Sequence, residues 1–194
     1  MEVQEHFDRI AKEYDQGKTR HGGIYYDTIK GFYAAHIPRA QAVLEMGCGT
    51  GDILASTHPA YGVGVDVSGE MIERARAKHP HLTFHQGDAG KIRFFRDFDA
   101  AILCDVIEHT RDHAALVETA RVSLKDGGIL CVTTVNPRWA WFVHAVGRMG
   151  LKLPEGPHWW PPVKYIEYLC WSKGFELIAK ETILGFIAGR VFRK

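Results

Sequence analysis

Several features that would assign the chain to a broad class are missing from its 194 residues. Lys and Arg number 24 against 23 Asp and Glu, so no positive field exists to hold a nucleic-acid backbone. No apolar run reaches the ~20 residues that span a bilayer, and the charged start of the chain has no signal-peptide core. We therefore expect one cytoplasmic domain with no nucleic-acid partner and no transmembrane segment.

Cysteine is scarce, and no two cysteines form a C-x-x-C pair. The four residues are Cys48, Cys104, Cys131 and Cys170. Such scatter favours reduced thiols over a disulfide framework or a zinc site. The eleven histidines are dispersed as well. The sequence therefore predicts neither a disulfide framework nor a cysteine-based metal centre.

Short apolar runs alternate with amphipathic stretches from residue 42 onward. Helices are predicted from Asp52, after a cap at Ser68, and over residues 113–124. Strands are predicted over 42–46, 62–67, 82–86, 98–104, 127–135 after a KDGG turn, 175–182 and 185–192. The alternation predicts an α/β fold with a Rossmann-like, seven-stranded, mostly parallel sheet and helices on both faces. Ligands bind such sheets at the carboxyl ends of the strands.

Three glycines, Gly47, Gly49 and Gly51, follow the first predicted strand. Glycines at a strand end let the backbone come close to a ligand, and the next helix offers free N–H groups to an anion. Asp52 stands where the dinucleotide pattern has a further glycine, and no Lys-Ser/Thr follows as a P-loop requires. The loop therefore favours a ligand other than a dinucleotide or a nucleoside triphosphate.

Carboxylates stand at the ends of the next two predicted strands. Asp66, in GVDVS, can accept hydrogen bonds from both hydroxyls of a ribose. Asp88, in HQGDA, is placed to accept from an adenine amino group, with an Asx turn as the alternative. NAD-binding folds share the glycine loop and Asp66, and the further carboxylate at Asp88 argues against them.

Taken in order, these segments resemble a known family. VLEMGCGTG, GVDVS, HQGDA, FDAAILCDVIEH and LKDGGILCVTT are similar to the successive motifs of class I S-adenosylmethionine-dependent methyltransferases, over roughly residues 40–135. HFDRIAKEYD resembles the opening helix of the small-molecule branch that includes ubiquinone and menaquinone methyltransferases. The resemblance implies S-adenosylmethionine as cofactor and S-adenosylhomocysteine as product. It implies cofactor binding by Glu45, Gly47, Cys48, Gly49, Gly51, Asp66, Val67, Asp88, Ala89, Cys104 and Asp105.

In that resemblance the three glycines line the methionine portion of the cofactor, with Glu45 beneath it. Cys104 and Asp105 lie beside the methionine and the transferred methyl group. The alternatives are that Glu45 only ties down the loop and that Cys48 is a small filler. The expected division is a helical lid over 1–38, a cofactor-binding core over 39–135, an aromatic substrate-side insertion over 136–162, and a C-terminal helix with strands over 163–194.

Catalytic candidates stand in the segment CDVIEHT. Asp105, Glu108 and His109 have i, i+3, i+4 spacing, which places all three on one face of a helical turn. One hypothesis makes His109 a general base, with a glutamate–histidine pair like that of ubiquinone-type O-methyltransferases. A second makes the trio a divalent-metal site, and a third makes it a helix-start network.

Aromatic residues crowd the segment after the fifth strand. His158, in PEGPHWWPP, is a third catalytic candidate, and it would line the acceptor pocket together with Trp159 and Trp160. Further aromatic surface comes from Trp139, Trp141 and Phe142. These residues predict a planar or lipophilic acceptor, with peripheral membrane contact or ordinary packing as alternatives.

The predicted function is methyl transfer to a small, apolar or aromatic molecule, with oxygen favoured as the accepting atom. The fourth strand is not followed by the [DN]PP[YF] pattern of adenine and glutamine methyltransferases, and no cysteine follows a proline as in cytosine-C5 enzymes. C- or N-methylation, an NAD(P)-dependent oxidoreductase and a non-catalytic cofactor-binding protein stay as alternatives. We expect a monomer or a homodimer.

Overall fold

A computed structural model describes residues 2–39, 41–94, 98–148 and 158–194. The helices are α1 Glu2–His36, α2 Asp52–Ser56, α3 Gly69–Lys78, α4 His113–Ser123, α5 Ala140–Arg148 and α6 Val163–Ser172, with 3₁₀ turns at Ile107–His109 and Pro137–Trp139. The strands are β1 Ala42–Met46, β2 Tyr61–Asp66, β3 Thr83–Gln86, β4 Phe98–Cys104, β5 Leu124–Val135, β6 Glu176–Ile183 and β7 Ile187–Arg193. Each predicted strand and helix is therefore found, with small shifts at the ends.

One sheet contains all seven strands, in the order β3-β2-β1-β4-β5-β7-β6. Strand β7 is antiparallel to both of its neighbours, and the other neighbouring pairs are parallel. The predicted mostly parallel, seven-stranded sheet is confirmed. Successive strands run outward from β1 on one side and from β4 on the other, so a crevice opens at the carboxyl ends of β1 and β4.

The predicted KDGG turn is placed differently by the structure. Strand β5 begins upstream of it, because Leu124 already pairs with Phe98 of β4. Pairing then resumes at Ile129 with Ala100, so residues 125–128 bulge out of the ladder. The turn residues are therefore an interruption within β5 rather than its boundary.

The two faces of the sheet carry separate helical layers. Apolar side chains of α1, α2 and α3 pack on one face, and those of α4 and α6 pack on the other. Neighbouring residues of β4 alternate between them, with Ile102 in the first layer and Leu103 in the second. Burial on both faces explains why β1 and β4 are mostly apolar, with Glu45 and Asp99 as their charged residues.

Helix α1 serves both the core and the strand ends. Ile29, Phe32 and Tyr33, in its C-terminal half, are buried against the sheet. Phe32 lies so close to β7 that a Cβ added at Gly189 would be 2.7 Å from its ring. The N-terminal half extends beyond the core, across the carboxyl ends of the strands. In the part of the chain that the structure describes, no helix combines the length and apolar character needed to cross a membrane.

The aromatic segment after β5 is only partly described. It starts with the turn Pro137–Trp139 and helix α5, and it resumes at His158 ahead of α6. The PEGP portion of the predicted insertion, residues 154–157, lies outside the described residues. The proposed division of the chain into lid, core, insertion and C-terminal unit stays a prediction.

Candidate functional site

A cavity of about 840 Å³ lies at the carboxyl ends of β1 to β4. Its strand-tip floor is formed by the loops that contain Gly47, Asp66, Asp88 and Asp105. Its α1 roof is formed by Val3, Phe7, Ile10, Tyr14, Tyr25 and Tyr26. Most of the predicted cofactor-binding residues therefore meet in one space, at the edge where an open α/β sheet binds ligands.

The glycine loop brings backbone close to this cavity. Gly47 has a φ of +80°, and a Cβ added there would lie 2.3 Å from Cγ2 of Val106. Only glycine fits this combination of positive φ and close contact. Gly47, Cys48 and Gly49 line the cavity, whereas Gly51 is not among the described residues that do so. Gly51 instead precedes α2, so its part is to shape the turn into the helix.

Glu45 ties the loop to the following helix. Its side chain is buried, and Oε2 accepts a hydrogen bond of 2.9 Å from the backbone N–H of Leu54 in α2. Because Glu45 also lines the cavity, anchoring the loop and facing a ligand are compatible here. A buried carboxylate that accepts a backbone N–H is fixed in orientation before any ligand arrives.

Asp66 is held from two sides at the end of β2. Oδ2 accepts from the N–H of Gly49 at 2.8 Å, and Oδ1 accepts from the N–H of Ser68 at 2.9 Å. Each carboxylate oxygen can accept a second hydrogen bond, so both remain suited to ribose hydroxyls. Val67, another predicted cofactor-binding residue, lines the cavity beside it.

Asp88 forms an Asx turn at the cavity wall. Oδ1 accepts from the N–H of Gly90 at 2.9 Å, which is an Asx turn, and Oδ2 pairs with Nζ of Lys91 at 2.9 Å. Burial opposes the charged form, but the hydrogen bonds from Lys91 and Gly90 outweigh it and lower the pKa of Asp88. Asp88 and Ala89 both line the cavity. The carboxylate therefore faces the ligand space as an anion.

The tip of β4 carries the most constrained carboxylate. Asp105 has a φ of +51°, which is uncommon for a residue other than glycine. The Tyr25 hydroxyl donates to its Oδ2, and the Thr133 hydroxyl donates to its Oδ1 at 3.1 Å. Burial first, and then the charge of Asp105, raise the pKa of the neighbouring Cys104 thiol well above its ordinary value. Cys104 is thus a neutral thiol beside an oriented carboxylate.

Three side chains of α1 connect the roof to three loops of the floor, and sequence reasoning missed them. Asp8 accepts from the Ser68 hydroxyl at 2.5 Å, and Asp15 accepts from the Thr50 hydroxyl at 2.8 Å. Tyr25 makes the third connection, to Asp105. Asp8 and Asp15 are seven residues apart, so they share a helix face. The seven-residue spacing was the feature of the sequence that could have indicated Asp8 and Asp15.

The trio Asp105, Glu108 and His109 is not brought onto one face. Residues Ile107–His109 form a 3₁₀ turn, and the backbone reverses at Asp105, so the α-helical spacing rule does not apply. Glu108 is buried, accepts from the Thr134 hydroxyl at 3.0 Å, and is not among the described residues that line the cavity. Within the described ranges, no group of three His, Cys, Asp or Glu side chains could hold a metal ion.

His109 is the catalytic candidate that reaches the cavity. Its ring meets Phe7 of the roof edge to face, with centroids 5.3 Å apart. On another side it contacts the ring of His158, with centroids 4.6 Å apart. His158 also contacts Trp160 and is not among the described cavity-lining residues, so it lies behind His109 rather than in the pocket.

The aromatic segment contributes less to the cavity than predicted. Trp159 lines it, with the Arg111 guanidinium 4.7 Å from the ring centroid. Trp160 packs on the core. Trp139, Trp141 and Phe142 are exposed and are not among the described lining residues. Apolar side chains of the α1 roof take the place that these three were expected to fill.

Residues 43–128 match a family described as a methyltransferase domain. The chain is 31% identical over 108 residues to a dTDP-3-amino-3,4,6-trideoxy-alpha-D-glucopyranose N,N-dimethyltransferase of Streptomyces venezuelae, covering 53% of this chain and 44% of that protein. It is 30% identical over 128 residues to a ubiquinone biosynthesis O-methyltransferase of Bradyrhizobium sp. (strain ORS 278), covering 61% and 50%. The chain thus spans about half the length of these curated relatives.

Similarity of fold extends over the whole chain. The crystal structure of the N-methyltransferase NodS from Bradyrhizobium japonicum WM9, in complex with S-adenosylhomocysteine, superposes with a TM-score of 0.78 at 13% identity. The alignment covers 100% of this chain and 99% of NodS. The sequence motifs and the sheet order, with the antiparallel β7 between β5 and β6, agree with these matches. Residues 43–128 of the chain are therefore similar to a methyltransferase domain, and the fold of the chain is that of the class I, S-adenosylmethionine-dependent methyltransferases.

Proposed function

We propose that this chain transfers the methyl group of S-adenosylmethionine to a small, apolar or aromatic acceptor, most favourably at oxygen. One observation carries the proposal: the cavity is lined by carboxylates along the strand-tip floor and by apolar side chains around His109. That second part is formed by Val3, Phe7, Ile10 and Trp159, with His109 among them. An adenosyl amino acid suits the polar part, and a flat or lipophilic molecule suits the apolar part.

The cofactor would lie along the floor. Asp66 would accept the ribose hydroxyls, and Asp88 would accept the adenine amino group beside Ala89. The glycine loop would cover the methionine portion, where Glu45 and Asp105 complement the positive charges of the ammonium and sulfonium groups. Both carboxylates are already oriented by hydrogen bonds, so little ordering cost remains when the cofactor binds.

The chemistry requires alignment more than activation. A lone pair of the acceptor oxygen attacks the methyl carbon, the carbon–sulfur bond breaks, and sulfur leaves with the bonding pair as a neutral thioether. Holding the three atoms in line and excluding water can lower the barrier by up to ~7–11 kcal/mol. The roof and Trp159 supply that enclosure on the acceptor side.

His109 would take the proton that a hydroxyl acceptor loses. A neutral imidazole nitrogen can accept this proton as a general base. The edge-to-face contact with Phe7 and the contact with His158 hold the ring at the cavity wall. His158 is therefore proposed as a positioning residue for His109 and Glu108 as a structural one, since its carboxylate binds Thr134.

Substitution of His109 tests the assignment of the acceptor atom. His109→Gln should lower kcat for a panel of phenols by about 10²–10⁴-fold, because general-base assistance is lost. Affinity for S-adenosylhomocysteine, measured by calorimetry, should stay unchanged. The matched control is His81→Ala, at an exposed histidine outside the described cavity wall. Undiminished phenol turnover by the His109 variant would contradict the assignment of His109 as the general base.

N-methylation is the second candidate, since a relative is named as an N,N-dimethyltransferase. A neutral amine attacks before it loses a proton, so no base is needed in the methyl-transfer step. The corresponding panel of primary amines distinguishes the two functions. Amine turnover that exceeds phenol turnover and is insensitive to His109→Gln would assign the acceptor to nitrogen.

A further inference from the structure

Exposed apolar side chains from three segments gather at one end of the molecule, beside helix α5. Ile24 of α1 and Trp141 of α5 are 79% and 66% exposed, which is unusual for side chains of this size. We call the group the α5 patch, and its members are Ile24, Trp139, Trp141, Phe142 and Leu184.

Ring contacts show that the aromatic members of the α5 patch are continuous. Trp139, Trp141 and Phe142 contact one another, with centroids 6.0 to 6.5 Å apart. Phe142 also contacts Phe186, with centroids 6.2 Å apart. Phe186 in turn stacks with Tyr25, the neighbour of Ile24, and it follows Leu184 by two residues. Contiguous apolar surface of this kind marks an interaction site, whereas single exposed apolar residues do not.

The charges around the α5 patch indicate what it binds. Arg138 is exposed between Pro137 and Trp139. Over residues 136–148, the described part of this segment, the sequence contains two basic residues, Arg138 and Arg148, and no Asp or Glu. Tryptophan and phenylalanine beside basic residues are typical of helices that lie in the interface of a membrane, where anionic headgroups attract the cations. A helix of nine residues is too short to span a bilayer, so it would lie in the plane.

The α5 patch adjoins the cavity at Tyr25. Tyr25 stacks with Phe186 on the patch side, and it lines the cavity while donating to Asp105. A molecule that leaves the apolar layer of a membrane at α5 would therefore meet the cavity after passing one aromatic wall. This connection gives the exposed aromatic side chains a use that packing alone does not.

We propose that the α5 patch docks on the surface of an anionic phospholipid bilayer. Its use to deliver a lipophilic acceptor rests on the proposed function, whereas the docking itself does not. Trp139, Trp141 and Phe142 would insert among the headgroups and upper acyl chains, and Arg138 would pair with lipid phosphates.

Vesicle flotation tests the docking. The protein should float with vesicles of phosphatidylcholine and phosphatidylglycerol and much less with phosphatidylcholine alone. Combined substitution of Trp139→Ser, Trp141→Ser and Phe142→Ser should weaken partitioning by at least about tenfold, because the inserted apolar surface is lost. Arg138→Glu should weaken it by about fivefold or more, and only with the anionic vesicles.

Helix α6 offers a matched control. Tyr168 and Trp171 are 62% and 69% exposed, contact each other, and lie on the opposite face of the sheet. The double variant Tyr168→Ser and Trp171→Ser should float like the parent protein. Equal loss in this control, or no partitioning by the parent protein, would overturn the proposal.

Two further measurements keep the outcomes separate. Dimerisation seen by sedimentation, abolished by the α5 variant and without vesicle binding, would assign the patch to a second copy of the chain and overturn the bilayer. Affinity for S-adenosylhomocysteine should be unchanged in the α5 variant, which shows that it is folded. Failure of that affinity in the parent protein would count against the proposed function and leave the vesicle result to decide the docking.

Discussion

The strand-tip floor and the α1 roof enclose one cavity by different means. On the floor, backbone N–H groups hold carboxylates in place, as Gly49 and Ser68 do for Asp66. The roof is held by side chains that reach out from a helix, as Asp8 and Tyr25 do. The floor depends on a sheet that the whole core stabilises, whereas the roof depends on a few surface contacts. We therefore expect floor variants to lose binding outright and roof variants to lose it by degrees.

The largest effect is expected at Asp66. Asp66→Ala removes the proposed ribose acceptor and leaves the N–H groups of Gly49 and Ser68 without their partner. Each such loss costs about 1–3 kcal/mol where the group stays buried. Calorimetry should show S-adenosylhomocysteine affinity reduced by roughly 100-fold or more, since two charge-assisted hydrogen bonds are lost. The affinity of Asp66→Asn, which retains one acceptor oxygen, should lie between those of the parent protein and the alanine variant. Parent-like affinity in the alanine variant would refute the proposal that the floor binds the ribose.

An intermediate effect is expected at Tyr25, where roof and floor meet. Tyr25→Phe removes the donor to Asp105 and retains the ring that stacks on Phe186. The pKa of Tyr25 is raised well above its usual value, first by burial and then by the charge of Asp105, so the hydroxyl is a donor throughout the accessible pH range. A hydrogen bond to a charged group contributes about 1.5–3 kcal/mol.

For Tyr25→Phe we thus expect KM for the cofactor to rise by about tenfold, with a smaller change in kcat. Steady-state kinetics at several pH values measure both. Tyr26→Phe is the matched control, because that residue lines the same roof. An equal effect in both variants would mean that the roof acts by packing and not through Asp105.

The smallest effect is expected where the roof meets the loop after β2. Asp8→Ala removes the acceptor of the Ser68 hydroxyl but leaves Ser68 as the cap of α3, through its bond to Met71. We expect S-adenosylhomocysteine to dissociate about threefold to tenfold faster in stopped-flow experiments, in keeping with one part-buried hydrogen bond. Glu13→Ala, at an exposed position of the same helix, controls for helix propensity. Identical dissociation rates for both variants would show that Asp8 does not help to hold the α1 roof over the ligand.

The same contrast explains what the sequence predicted and what it did not. Strands β1 and β4 were predicted at their observed bounds, because apolar runs between turn residues depend on local pattern. The carboxylates that follow strands are likewise placed by topology, so the floor could be assembled in advance. Residues 1–38 were predicted to form a helical lid, but the sequence did not indicate which of its side chains, such as Phe7, Ile10 and Tyr14, would line the cavity.

Tertiary contacts decided the rest. The 3₁₀ turn at Ile107–His109 follows a positive φ at Asp105, which no residue pattern in CDVIEHT indicates. As a result, Glu108 binds Thr134 in the interior while His109 faces the ligand space. The exposure of Trp139 and Trp141 was equally unreadable, since an apolar residue looks the same in a sequence whether it packs inward or outward.

Gly189 of β7 and Phe32 of α1 are in close contact, so a larger residue at position 189 would shift α1. From this contact, the helix extends about 35–40 Å between Phe32 and Phe7, at 1.5 Å per residue. A methyl group added at Gly189 would tilt the helix and move its N-terminal end further than it moves Phe32. No residue of β7 is among the described residues that line the cavity. The side chains of β7 can nevertheless set how tightly the methyl donor is enclosed.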